Sequence, residues 1–214
     1  MQRTIQAALT VALVLSPVVA LAQSGMTSKA ATYITAEDVQ TVNQQPGIDR
    51  TISVVDIGSE HFAVGIIHRG KTGAPAAGGS AAAGGQAAAA EPCGEQVGSA
   101  PPDNTPRGLY HESQTEGYLI TSGGGTVVTG GHIANGRKSG PDSEVTKVLN
   151  GPSCSGFIVG ADVVQKVVKV GDIIIIPAGV PHGWSDIPDH VDYLSFRPSG
   201  RTLEAGYVHP SIKK

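Results

Sequence analysis

Gly171-Asp172-Ile173-Ile174-Ile175-Ile176-Pro177-Ala178-Gly179-Val180-Pro181-His182 is the stretch that decides the fold. Four consecutive isoleucines predict a short strand buried on both faces. Pro177 and Gly179 then stop the strand and force a tight turn. The turn delivers His182, with Gly183 and Trp184 behind it. An imidazole on a rigid turn at a strand end is well placed as a metal ligand or an acid–base group.

Outward from this stretch the chain keeps reading as strands. Phe157 to Val159, Val164 to Val170 and Asp172 to Ile176 lead to it, and Val191 to Arg197 follows. Further back, Thr51 to Ile57 is β-branched and apolar apart from Ser53 and Asp56. His61 to Arg69 alternates, so that Phe62, Val64, Ile66 and His68 share one face. Glu116 to Thr121 and Thr126 to Thr129 flank Ser122-Gly123-Gly124-Gly125, which predicts a hairpin. One short helix is expected: Thr35 caps it, Asp38 takes the capping-box position, and it runs through Asn43 to stop at Pro46-Gly47. Roughly nine short strands with Gly/Pro turns predict an all-β sandwich or barrel.

The remaining segments bound the domain. Residues 1–22 have a short positive start at Arg3, an apolar run and Ala20-Leu21-Ala22, which together predict a secretory signal cleaved before Gln23. The expected localisation is secreted or periplasmic, with no membrane contact after cleavage. Cleavage removes one base and no acid, taking the formal charge from −3 to −4. A mildly acidic chain without a basic run argues against nucleic acid as a partner. Residues 23–49 form an N-terminal segment, 50–200 the barrel and 201–214 a C-terminal tail. Within the barrel, 70–107 is an insertion; Gly73 to Ala90 is almost wholly Ala, Gly and Pro and is expected to be a flexible loop. Cys93 and Cys154 fit no zinc spacing, and in an oxidising compartment they are expected to pair, the alternative being two idle thiols.

The opening stretch resembles the second signature of the cupin superfamily, G-x5-P-x-G-x2-H, with Gly171, Pro177, Gly179 and His182 at all four positions. The asparagine that often follows is replaced by Asp186. The first signature, HxH-x3-4-E-x6-G, is kept in part: Glu116 and Gly123 match its end and His111 takes the second histidine's place. Leu109 stands where the first histidine would be. The resemblance covers about residues 50 to 200. It implies a single jelly-roll barrel, the double-stranded β-helix, with the short helix at its N-terminus.

It also implies a metal site made by His111, Glu116 and His182. Two imidazoles and a carboxylate suit non-haem Fe(II) first, with Mn, Ni, Cu or Zn as other divalent candidates. Gln114 can supply an oxygen in place of the missing histidine. Tyr118, on the face of Glu116, and Trp184, two residues after His182, are candidate pocket walls; His68 is a further candidate, with a hydrogen-bonded core role as its alternative. Arg197 can grip a carboxylate or phosphate, the alternative being a solvated side chain at a strand end. No nucleophilic triad surrounds Ser113 or Ser195, and no phosphate-binding loop is present. The resemblance implies a metal-dependent protein acting on a small organic molecule, with oxygen-dependent chemistry as the first reading and isomerase or lyase chemistry as the second. A non-catalytic small-ligand or metal binder is the rival class. The expected partner is a small-molecule ligand or substrate, with homodimerisation left open.

Overall fold

A computed structural model describes residues 30–73, 90–99 and 101–213. The segment read as a signal and most of the Ala/Gly run lie outside these residues. In chain order the elements are α1 (Ala36–Asn43), β1 (Asp49–Asp56), β2 (His61–Gly70), β3 (Pro92–Cys93), β4 (Arg107–His111), β5 (Glu116–Thr129) and β6 (His132–Lys138). A π-helical turn (Val145–Leu149) follows, then β7 (Ser153–Val159), β8 (Val164–Lys169), β9 (Ile173–Ile176), β10 (His182–Asp186) and β11 (His190–Pro198). Helix α1 starts as the sequence predicts, in a capping box: the Thr35 hydroxyl accepts from the Asp38 amide and the Asp38 carboxylate accepts from the Thr35 amide. No described helix is long and apolar enough to cross a membrane.

The strands pair antiparallel into two sheets that β5 joins. One runs β1-β2-β11, the first half of β5, then β9. The other runs β8, the second half of β5, then β10-β4-β7-β6-β3. Two antiparallel ribbons wind through both sheets. In one, β5 runs against β8 and β9 along its length. In the other, β2 and β4 run against β11 and β10. This is the jelly-roll barrel in its double-stranded β-helix form.

The glycine run does not make a hairpin. β5 continues through it as one 14-residue strand that passes from sheet to sheet. At the crossing the strand is hemmed in by other backbones. A Cβ on Gly123 would collide with the His190 carbonyl, and one on Gly124 or Gly125 would press on the carbonyls of Val168 and Asp186. Gly123 also has φ +63°, a left-handed conformation that glycine adopts without strain. Glycine types fit a reversal and a bend equally, and here the close approach of three strands selects the bend.

The isoleucine run is a strand, but it is not buried on both faces. β9 lies at a sheet edge, with Ile173 and Ile175 70% and 68% exposed, while Ile176 is buried. A run without alternation carries no record of which side the domain lies on.

Inside the barrel, Ile67, Ile120, Val127, Ile176, Val191 and Tyr193 form the largest core. A second cluster lies outside, where α1 brings Val42 against Ile52 and Ile66. Because α1 covers it, the outer face of β2 reads as apolar, and that is the face His68 shares. His68 therefore points away from the barrel interior and pairs with Asp192 at 2.6 Å. The later part of the insertion is tied down: β3 pairs with β6, and Cys93 is bonded to Cys154 with their Cα atoms 6.0 Å apart. The C-terminal residues also pack, with Leu203 buried and Val208 bridged to Ser53 on β1.

Candidate metal centre

Three elements deliver the three residues read as ligands. His111 is the last residue of β4, Glu116 the first of β5 and His182 the first of β10. The chain is fixed around them by backbone bonds. Gly179 donates to the His111 carbonyl at 2.7 Å, and Gly130 donates to the Pro181 carbonyl at 3.0 Å. β10 and β4 meet at Gly183 and Gly108, where an added Cβ on either would collide with a carbonyl of the other strand. Glycine at both positions lets His182 sit beside β4. Leu109 pairs with His182, so an apolar side chain occupies the register position of the missing histidine.

His111 Nε2 lies 3.2 Å from Glu116 Oε2, and His182 Nε2 lies 3.1 Å from the same oxygen. All three side chains are buried. Each imidazole is oriented from behind: His111 Nδ1 is 2.8 Å from the Asn150 carbonyl and His182 Nδ1 is 3.0 Å from the Val180 carbonyl. A carbonyl can only accept, so both Nδ1 atoms carry hydrogen. Both Nε2 atoms are turned towards the carboxylate. Two imidazole nitrogens and a carboxylate oxygen, all three of them ligand-type atoms, then face one point. The chemistry of the set fits a divalent metal ion.

The carboxylate is held on both oxygens. Oε1 accepts from Ser195 Oγ at 3.1 Å and is paired with Arg197 Nε at 2.8 Å. Oε2 accepts from the Tyr118 hydroxyl at 2.5 Å. Burial pushes the Glu116 carboxyl up, but His111 and Arg197, with hydrogen bonds from both imidazoles, hold it well below the usual carboxylate range. Burial, with Glu116 alongside, raises the Tyr118 phenol well above its ordinary value, so Tyr118 is a neutral donor. Arg197 is buried; burial disfavours its charge, but Asp49 and Glu116 more than offset this and raise its pKa. Its Nη2 donates to Asp49 at 2.7 Å and its Nη1 to the Leu149 carbonyl at 3.0 Å. Arg197 is therefore engaged with the protein's own carboxylates and is not free to take a ligand.

Gln114 is buried beside the same carbonyl, with its Nε2 3.5 Å from the Leu149 oxygen. Its Oε1 has no hydrogen-bond partner among the described residues. A buried acceptor without a donor fits an oxygen that serves a cation. The π-helical turn supports the site from outside, since its end supplies the Leu149 carbonyl and the next residue the Asn150 carbonyl. Nothing in its sequence announces it. Tyr118 lies in the interior, its ring 6.2 Å edge-on to His182 and 4.4 Å from Tyr193. Trp184 packs tilted against Tyr193, ring centroids 5.6 Å apart. Sequence reasoning passed over Ser195, Asp49 and the inward role of Arg197. The signal was present in β11, where Val191, Tyr193, Ser195 and Arg197 alternate on the buried face.

No protein-family model matches the chain. No curated protein matches it by sequence. Among solved structures it is similar to a protein from Neisseria meningitidis, at 8% identity and a TM-score of 0.36, covering 78% of this chain and 100% of that one. It is also similar to a protein with a double-stranded beta-helix domain from Klebsiella pneumoniae, at 14% identity and a TM-score of 0.35, covering 80% of this chain and 94% of that one. A third is an oxalate oxidase in complex with glycolate, at 12% identity and a TM-score of 0.31, covering 74% of this chain and 55% of that one.

Proposed function

We propose that this chain is an exported, metal-dependent cupin that acts on a small organic molecule, with oxygen-dependent chemistry as its reaction class. The observation that carries the reading is the approach of His111 Nε2 and His182 Nε2 to one oxygen of Glu116. A two-His, one-carboxylate set leaves positions on a divalent ion for substrate and dioxygen, and the ion supplies Lewis acidity at that point. The chain's own residues do the rest. Arg197 and Ser195 hold Oε1 and leave Oε2 to serve as donor. Committed in this way, Glu116 is not a general base. The Tyr118 hydroxyl stands beside it as the buried proton donor. The surrounding apolar side chains exclude water and strengthen every charge interaction in the site.

Export is the reading of residues 1–22, and the disulfide agrees with an oxidising compartment. Fe(II) is the first metal candidate. Isomerase or lyase chemistry would use the same ion on a carbonyl oxygen.

Metal analysis of protein purified without chelator tests the reading, followed by oxygen uptake with small organic acids and phenols. The expected result is one divalent ion per chain and oxygen consumption that disappears on chelation. A protein that takes up no stoichiometric metal under any reconstitution overturns it. The burial of all three ligands favours one rival, a non-catalytic metal or ligand binder. The relaxation of solvent water by Mn(II)-loaded protein separates the two: an enzyme shows exchanging inner water, and a closed binder shows none.

A further inference from the structure

Arg69 is an inward-facing cation that no carboxylate among the described residues contacts directly. It lies on β2 in the alternating set of Ala63, Gly65 and Ile67, the set that faces the barrel interior. Its Nε donates to the Tyr193 hydroxyl at 3.2 Å. Tyr193 packs on Tyr118, whose hydroxyl reaches Glu116, so a chain of contacts joins Arg69 to the metal centre. Among the described residues Arg69 forms no ion pair, and its Nη groups have no hydrogen-bond partner. The contrast with Arg197 is direct: that guanidinium is taken by Glu116 and Asp49.

The charges around the site decide what Arg69 would take. Glu116 and Asp49 are balanced by Arg197 and Arg69, so two carboxylates face two guanidiniums. A divalent ion bound by His111, Glu116 and His182 leaves this interior two charges positive. An anionic ligand restores the balance, and a planar carboxylate matches the fork of a guanidinium with free Nη groups. Trp184, tilted against the Tyr193 ring, adds an apolar surface next to that tyrosine.

We propose that Arg69, oriented by the Tyr193 hydroxyl, is the specificity-determining residue of this barrel, and that the ligand is a small organic acid whose carboxylate it grips. The substrate-class part of this proposal rests on the metal-dependent reading above; the anion site at Arg69 does not.

Titration calorimetry on the full chain tests it, with benzoate and its neutral counterpart benzamide as probes and bound zinc measured in parallel. Wild-type protein should bind benzoate at least about tenfold more tightly than benzamide, as expected of a charge-assisted pair in a water-poor site. Arg69→Met should remove that preference and leave benzamide binding and zinc content unchanged. Arg69→Lys should restore part of it, because an ammonium keeps the charge and loses the fork. Tyr193→Phe keeps the ring and should lose a smaller part, which covers the case of an Arg69→Met protein that does not fold. Equal affinity for the two probes in wild-type protein, or a benzoate preference that survives in Arg69→Met and Arg69→Lys, overturns the proposal. The two readings fail separately. An Arg69-dependent preference in protein that holds no zinc removes the metal reading and keeps this one. Stoichiometric zinc without any Arg69-dependent preference does the reverse.

Discussion

Arg197 holds two carboxylates at once, the buried Glu116 through Nε and the half-buried Asp49 through Nη2. Deleting one member of such a group leaves the others charged and unpaired. Arg197→Met should therefore lower the unfolding free energy by about 3–5 kcal/mol. Denaturant titration would show this as a lower midpoint at unchanged slope; a loss below about 1 kcal/mol would mean that Glu116 and Asp49 are satisfied without it. His111→Ala and His182→Ala act on another quantity. Each should remove most of the bound metal while the β circular dichroism stays, because strand pairing holds the barrel. His190→Ala serves as the control, since that imidazole is engaged with Ser122 and Asp189 away from the centre. Metal content that is unchanged in His111→Ala would remove that residue from the site. His182 was legible in the sequence because Pro177 and Gly179 dictate the turn that carries it. Arg197 was not, because an arginine at a strand end looks solvated until the alternation of β11 is followed to its last inward position.

Single elements show where pattern reading stops. β9 was recognised as a strand from its composition, yet its place at a sheet edge depends on β5, a partner more than fifty residues upstream. Ile173→Thr and Ile175→Thr should thus change stability by no more than about 0.5 kcal/mol. Ile176→Ala, in the buried position of the same strand, should cost about 2–5 kcal/mol. Equal losses at all three sites would show that the outer face is covered. The Cys93–Cys154 bond closes a separation of 61 residues and ties β3 to β7 across the intervening β6. Cysteine count and the compartment expected from residues 1–22 were enough to anticipate it. Its reduction should cost about 2–4 kcal/mol, read as a lower unfolding midpoint in reductant that leaves the native spectrum intact.

For the molecule as a whole, both ends of the Ala/Gly run are anchored. Thr72 exchanges hydrogen bonds with Ile187 on one side, and β3 with its disulfide holds the other. Replacing residues 74–89 by a short Gly/Ser linker should leave the melting temperature within a few degrees, about 2–4 °C per kcal/mol lost in a domain of this size. Collapse of the fold on that replacement would show that the run packs. The order of strands has a further consequence, one of timing. β11 lies between β2 and β5, and β10 lies between β4 and β5, so the two ribbons can join only through residues 182–198. A chain made from its N-terminus cannot close the barrel until residues 182–198 have emerged. Contacts this distant in sequence also form slowly. Until then β2, β4 and β5 each wait with one edge unpaired, held for β10 and β11 to fill.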